Sequence, residues 1–167
     1  GGLIHGTEVN PENFQPLSGK WFSLDDSSWK TLARGPMSKE DEEGIGDGHE
    51  WVEAPYVYYR EGFYYLFVNW GSCCRGADSD YNIRVGRSKN PLGPFLDKKG
   101  VNMVDGGGSL VLESKGTKRG PGHAGIWVNE KQQDILSFHY YDAKRDGIPL
   151  YGERKIVWRN NWPTIMN

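Results

Sequence analysis

The residue in this 167-residue chain with the clearest chemical promise is Glu53, a carboxylic acid set between Trp51-Val52 and Ala54-Pro55. Burial of a carboxylate among aromatic and aliphatic side chains disfavours its ionised form and raises its pKa, the adjustment a general acid needs near neutral pH. The competing reading is a strand-end glutamate that pairs with a cation or points to solvent. His123 stands in Gly120-Pro121-Gly122-His123-Ala124-Gly125, where glycines let the backbone turn tightly and approach other groups closely. Its imidazole suits a single ligand to a cation or an orienting group in a cleft, and equally a hydrogen-bonded buried histidine. No His/Cys group has zinc-like spacing, which excludes a closed tetrahedral site. A lone imidazole among oxygen ligands suits calcium or another weakly held cation. His139 lies in the apolar run Leu136 to Tyr141, where period-2 alternation admits either face, and His49 reads as a loop residue.

A third group of interest is Asn69-Trp70-Gly71-Ser72-Cys73-Cys74-Arg75-Gly76. The Trp70 ring can stack on the apolar face of a sugar while Asn69, Ser72 and Arg75 hold its hydroxyls. The alternative is a tight glycine loop with two small buried thiols. Cys73 and Cys74 are adjacent, so they cannot cross-link distant parts of the fold. Gly106-Gly107-Gly108-Ser109 has neither the Lys-Ser/Thr nor the following helix of a phosphate loop.

The elements that must hold these residues are strands. Aromatic residues make up 13% of the chain, with 23 Gly and 9 Pro, a mixture that favours many short strands joined by turns. Residues 54–59 and 63–69 are aromatic and β-branched runs around the turn Arg60-Glu61-Gly62, which predicts a β-hairpin. A third run covers Tyr81 to Gly86, closed by the breakers Asn90-Pro91-Leu92-Gly93-Pro94. A similar unit starts at His123, with Ala124 to Val128, a polar turn, and Ile135 to Tyr141. Glu53 and His123 each stand just before the first strand of their hairpin, 123 − 53 = 70 residues apart, which suggests a repeated antiparallel unit of propeller type. Phe14 to Leu24 reads as the outer part of a further unit, and the acidic, Gly-rich stretch Ser38 to His49 as a solvated loop.

The formal charge of −2 supplies no basic field for a row of phosphates, so nucleic acid is not expected as a partner. No apolar stretch approaches the roughly 20 residues that span a bilayer, and the first residues lack the basic and apolar regions of a signal peptide.

Taken together, Val52-Glu53-Ala54-Pro55-Tyr56, the loop from Asn69 to Gly76, Tyr81-Asn82-Ile83-Arg84-Val85-Gly86-Arg87-Ser88, Gly93-Pro94-Phe95-Leu96-Asp97 and Gly120-Pro121-Gly122-His123 resemble family 43 glycoside hydrolases of the endo-1,5-α-L-arabinanase kind. The resemblance runs from residue 1 to Asn161-Trp162-Pro163 and implies an all-β, five-bladed β-propeller of which this chain covers about the last two and a half blades. It divides the chain into the end of a blade plus the acidic loop (1–50), a blade with the general acid (51–119) and the last blade (120–167). The Glu-Ala-Pro motif implies the general acid at Glu53, and the Gly-His motif implies a ligand at His123 to a cation at the propeller axis, calcium being the expected ion. The implied function is hydrolysis of α-L-arabinofuranosyl linkages of arabinan or arabino-oligosaccharides, outside the cell or in the periplasm. The implied mechanism is inverting, with acid and base carboxylates about 6.5–9.5 Å apart. In the family the base and a tuning Asp belong to N-terminal blades; Asp25, Asp47 and Asp78 lack that context and none is assigned as base. A complementary N-terminal half-propeller, or self-association, is therefore the expected partner. Rival readings are a non-catalytic carbohydrate-binding half-propeller and a β-xylosidase or α-L-arabinofuranosidase of the same family.

Overall fold

A computed structural model describes residues 2–22, 26–36 and 51–166. The acidic stretch from Ser38 to His49, with Asp47, and Asp25 lie outside the described residues. Among the described residues three antiparallel sheets follow one another along the chain. Strands β1 (Leu3–Gly6) and β2 (Lys30–Arg34) make a two-stranded sheet. Strands β3 (Val52–Arg60), β4 (Phe63–Trp70), β5 (Asn82–Ser88) and β6 (Ser109–Leu112) form a four-stranded sheet in sequence order. Strands β7 (Lys118–Val128), β8 (Asp134–Asp142), β9 (Ile148–Arg159) and β10 (Trp162–Ile165) form another with the same order. No described helix is long and apolar enough to cross a membrane.

Local chemistry explains the turns. Glu61 (φ 48°) and Gly62 (φ 78°) join β3 to β4, and Asn160 (φ 52°) and Asn161 (φ 56°) join β9 to β10. Two consecutive positive φ values mark the two-residue hairpin turns whose twist matches the flanking strands, and glycine and asparagine tolerate them best. In β4 the stretch Tyr65 to Asn69 is buried throughout, because the strand is covered on both faces. Tyr65 and Phe67 join Ile83, Val85, Ala124, Ile126, Leu136, Phe138 and Ile156 in a core between the two four-stranded sheets. Leu66 and Val68 point the other way, into a core with Ile4, Leu32, Ala33, Val52, Phe95 and Met103 that includes the two-stranded sheet.

Polar bonds cross the interface between the large sheets. Tyr56 Oη donates to the Ile126 carbonyl (2.9 Å), Tyr58 Oη to Asp134 Oδ1 (2.7 Å) and Tyr65 Oη to the Asn161 carbonyl (2.8 Å). Arg87 Nη1 donates to the same Asn161 carbonyl at 2.7 Å. These bonds satisfy buried groups whose unpaired burial would cost about 1–3 kcal/mol each, so they set how the sheets face one another.

Several expectations about the elements are corrected. The N-terminal strands are residues 3–6 and 30–34, while Phe14 to Phe22 forms turns and coil apart from one bridge between Val9 and Pro16. Phe14, Leu17 and Trp21 are exposed there, so aromatic content alone made the stretch look like sheet. Glu53 and His123 do not precede their strands but lie inside β3 and β7. Pro55 and Pro121 fall where the pairing register shifts, between Glu53 and Tyr56 and between Arg119 and Gly122. A missing N–H is harmless at such irregularities.

Candidate active site

At one end of the two large sheets, where β3 begins, β4 ends and β7 crosses its irregular middle, the side chains of Glu53, Tyr81, His123, His139 and Tyr141 gather. Ala54 (φ 50°) and His123 (φ 60°) both hold left-handed backbone conformations at bulges. Such conformations cost non-glycine residues on the order of 1–3 kcal/mol and persist where the surroundings enforce them, most often at functional sites.

Glu53 is exposed, not buried as the apolar flanks suggested. Strand alternation explains the correction: Val52, its neighbour, is buried in the core shared with β1 and β2, which turns Glu53 to the opposite, open side. The Tyr81 ring is buried, and its hydroxyl is held well above the usual tyrosine range, first by burial and then by the adjacent Glu53 carboxylate. Tyr81 therefore keeps its proton and can act as a donor toward Glu53.

His123 is also exposed, but its backbone is anchored: its N–H donates to Asn69 Oδ1 at 2.8 Å. Its ring lies 6.5 Å from that of His139, which in turn lies 6.1 Å from Tyr81 and 5.3 Å from Tyr141, edge to face. His139 is half-buried and points into this group. Its pKa is lowered, first by burial and then by the nearby His123 imidazole, and its Nε2 is buried without a hydrogen-bond partner among the described residues. No group of three His, Cys, Asp or Glu side chains able to hold a metal occurs among the described residues. Among the described residues the His123 imidazole therefore stands without the further ligands that a complete cation site needs.

The Asn69-to-Gly76 stretch divides into residues that hold the site and residues that border it. Asn69 is fully buried, and its amide is committed: Oδ1 to His123 N–H, and Nδ2 to the carbonyls of Asn82 (3.2 Å) and Pro121 (3.3 Å). It ties β4 to β7 and has no surface to give a sugar, contrary to the expectation of direct contact. Trp70, next along β4, points to the other face, beneath Arg84 at 4.5 Å and against Gly108, so its indole is a packing group too. Ser72 is half-buried, with its N–H donating to Asp80 Oδ1 at 2.6 Å, and Arg75 is exposed at the rim. Cys73 and Cys74 are joined to each other in a disulfide, and Cys74 is exposed, which replaces the reading of two buried thiols. The Cys74 N–H donates to Tyr141 Oη at 2.9 Å, fastening this loop to β8. Asp78 is exposed in a short 3-10 turn at Gly76–Asp78.

Sequence reasoning passed over Tyr81 and Tyr141, and left His139 on either face. The usable signal was pairing: His139 sits on β8 opposite Gly122, as Asn69 sits on β4 opposite Glu53.

Comparison with known proteins places this geometry. The model of "Glycosyl hydrolases family 43" matches residues 10–163. The chain is 42% identical over 113 residues to the extracellular endo-alpha-(1->5)-L-arabinanase 1 of Bacillus subtilis, covering 68% of this chain and 34% of that protein. It is 40% identical over 121 residues to the extracellular exo-alpha-(1->5)-L-arabinofuranosidase ArbA of Cellvibrio japonicus, covering 71% and 34%. The alpha-L-arabinanase of Cellvibrio cellulosa complexed with arabinohexaose superposes with a TM-score of 0.77 and 31% identity, over 95% of this chain and 48% of that one. The chain spans about half the length of that solved structure and about a third of the two curated relatives. Two four-stranded sheets and one two-stranded sheet are two and a half blades, in keeping with half of a five-bladed β-propeller. The chain belongs to family 43 of the glycosyl hydrolases.

Proposed function

We propose that this chain contributes the general acid to a secreted glycoside hydrolase that cleaves α-L-arabinofuranosyl linkages of arabinan with inversion. The observation that carries the reading is Glu53: an exposed carboxyl group beside a protonated Tyr81 hydroxyl, at the end of the fold where His123 and His139 also stand. In the proposed step Glu53 gives its proton to the leaving glycosidic oxygen as the anomeric carbon–oxygen bond breaks. A water attacks the opposite face of that carbon and loses its proton to a second carboxylate, a role we assign to none of the described residues. Tyr81 then donates to the carboxylate left on Glu53. Arg75 and Ser72, in the loop that follows β4, would flank the sugar chain there. His123 is proposed as this chain's one contact with a weakly held cation such as calcium or with its water shell; no step is routed through the ion. The extracellular relatives support a secreted protein.

Glu53→Gln in the complete enzyme should lower kcat on arabinan by about 10²–10⁴, the usual worth of a positioned general acid. A substrate with a good aryl leaving group needs little protonation and should lose much less. Equal losses on both would make Glu53 a structural residue. Complementation with an N-terminal half-propeller should switch activity on, since that half would bring the base. Binding of arabino-oligosaccharide without turnover in the completed assembly would instead favour the non-catalytic sugar-binding reading.

A further inference from the structure

The opposite end of the β3–β6 sheet carries a cavity of about 630 Å³ whose walls include Phe63, Arg87, Lys89, Asp97, Lys98 and Trp162. Phe63 opens β4 and Trp70 ends it beside the candidate active site, so a strand rise of about 3.4 Å per residue puts roughly 20 Å or more between the two places. The nearer cavity wall is built from cations laid on aromatic rings. The Arg87 guanidinium is 4.5 Å from the Phe63 ring centre and 4.3 Å from that of Trp162. Lys89 Nζ stands 3.6 Å from the Phe63 centre, and Lys98 Nζ 5.9 Å from that of Trp162.

Three positive charges thus share one cavity in a chain whose net charge is −2. Among the described residues none of the three is in an ion pair. The one acid in the wall is already committed. Asp97 Oδ1 accepts from the N–H groups of Lys99 (2.8 Å) and Val101 (2.9 Å), and Oδ2 accepts from that of Gly108 (3.3 Å). Arg87 is tied to the Asn160 and Asn161 carbonyls, which fixes its plane without neutralising its charge. Lys89 and Lys98 are exposed and free to turn toward a ligand.

We propose that this cavity binds an acidic saccharide through the carboxylate of a uronic acid unit, separately from the site at Glu53. The ammonium groups of Lys89 and Lys98 provide charge-assisted hydrogen bonds to the carboxylate, and the Phe63 and Trp162 rings provide the apolar surface that a sugar ring packs against. The volume falls in the range of organic-ligand sites, about 300–1,000 Å³, and is far larger than a simple inorganic ion needs. A nucleic acid would require a longer row of cations than these three.

The test is calorimetric titration of the chain with α-1,4-linked trigalacturonate, with neutral arabinotriose, inorganic sulfate and a tri-aspartate peptide as controls. Trigalacturonate should bind saturably, and weaken at least about tenfold in a Lys89→Glu/Lys98→Glu variant and on raising salt from low to about 0.5 M. The variant's thermal midpoint should stay near that of the parent; if it does not fold, the Lys89→Gln/Lys98→Gln pair replaces it. Binding should survive Glu53→Gln, which separates this site from the proposed active site. Absence of binding, undiminished binding in the folded double variant, or equal affinity for arabinotriose would overturn the proposal. Equal affinity for sulfate or for the peptide would also overturn it, by showing an anion patch with no preference for sugar.

Discussion

The two four-stranded sheets share a backbone device and use it for different chemistry. In the first, Ala54 and Pro55 bulge opposite Val68; in the second, His123 and Ala124 bulge opposite Phe138. The residue before the bulge is Glu53 in one sheet and Gly122 in the other, and their partners across the hairpin are Asn69 and His139. By structure, then, His123 matches Ala54, not Glu53, and the repeat offset is 69 residues on the innermost strand and 70 on the next. What differs is the space in front of the bulge. A side chain at Gly122 would run into the Tyr81 ring and the Asn69 amide, both buried, whereas Glu53 opens to solvent. A shared bulge therefore carries an acid where it faces solvent and forces glycine where a neighbouring blade fills the space.

The most direct way to break this comparison is Gly122→Ala. The added methyl has no room between Tyr81 and Asn69, so the chain should lose at least about 1–3 kcal/mol, read as a lower urea midpoint. An unchanged midpoint would mean that the two bulges move independently. A smaller effect is expected at His139, whose pKa is lowered in the fold. Since the unfolded chain binds this proton more readily, stability gained from neutral His139 is present above its unfolded value, near 6.5, and is lost as pH falls through that value toward the folded one. His139→Gln should flatten this acid limb in thermal melts from pH 7 to 5; an unaltered limb would assign it to other groups. The smallest effect is expected away from the bulges. Tyr58→Phe removes the bond to Asp134, which Trp158 Nε1 (2.6 Å) and Arg60 (3.3 Å) still hold, and should cost about 0.5–1.5 kcal/mol. Burial, and then Asp134, push the Tyr58 hydroxyl up to about 12. Its stabilising share should therefore persist to about pH 10 and fade above it, so the gap between parent and variant should narrow in alkaline melts.

The aromatic hairpin of residues 54–59 and 63–69 was legible because both strands are rich in residues that a sheet buries. The strand β9 was not, since Ile148 to Arg159 mixes Pro, Gly and charge on a partly exposed strand with no apolar period to read. The motif residues Glu53 and His123 could be picked out by type, but their surroundings could not. The flanks of Glu53 suggested burial because sequence neighbours were taken for spatial neighbours, and strand alternation sends them to opposite sides. Asn69 and Trp70 looked like a sugar-binding pair for the same reason, although adjacent residues on a covered strand face two different cores. Tyr81 entered the site only through packing between sheets, which no local pattern encodes.

The bond from Asn69 to the His123 amide has a further consequence for hydrogen exchange. Solvent reaches the His123 imidazole, yet its amide hydrogen is held by a fully buried side chain of the neighbouring sheet. Local fraying of β7 cannot release it without also separating the two sheets. Its deuterium uptake therefore tracks the opening of the sheet interface and not the accessibility of the residue that carries it.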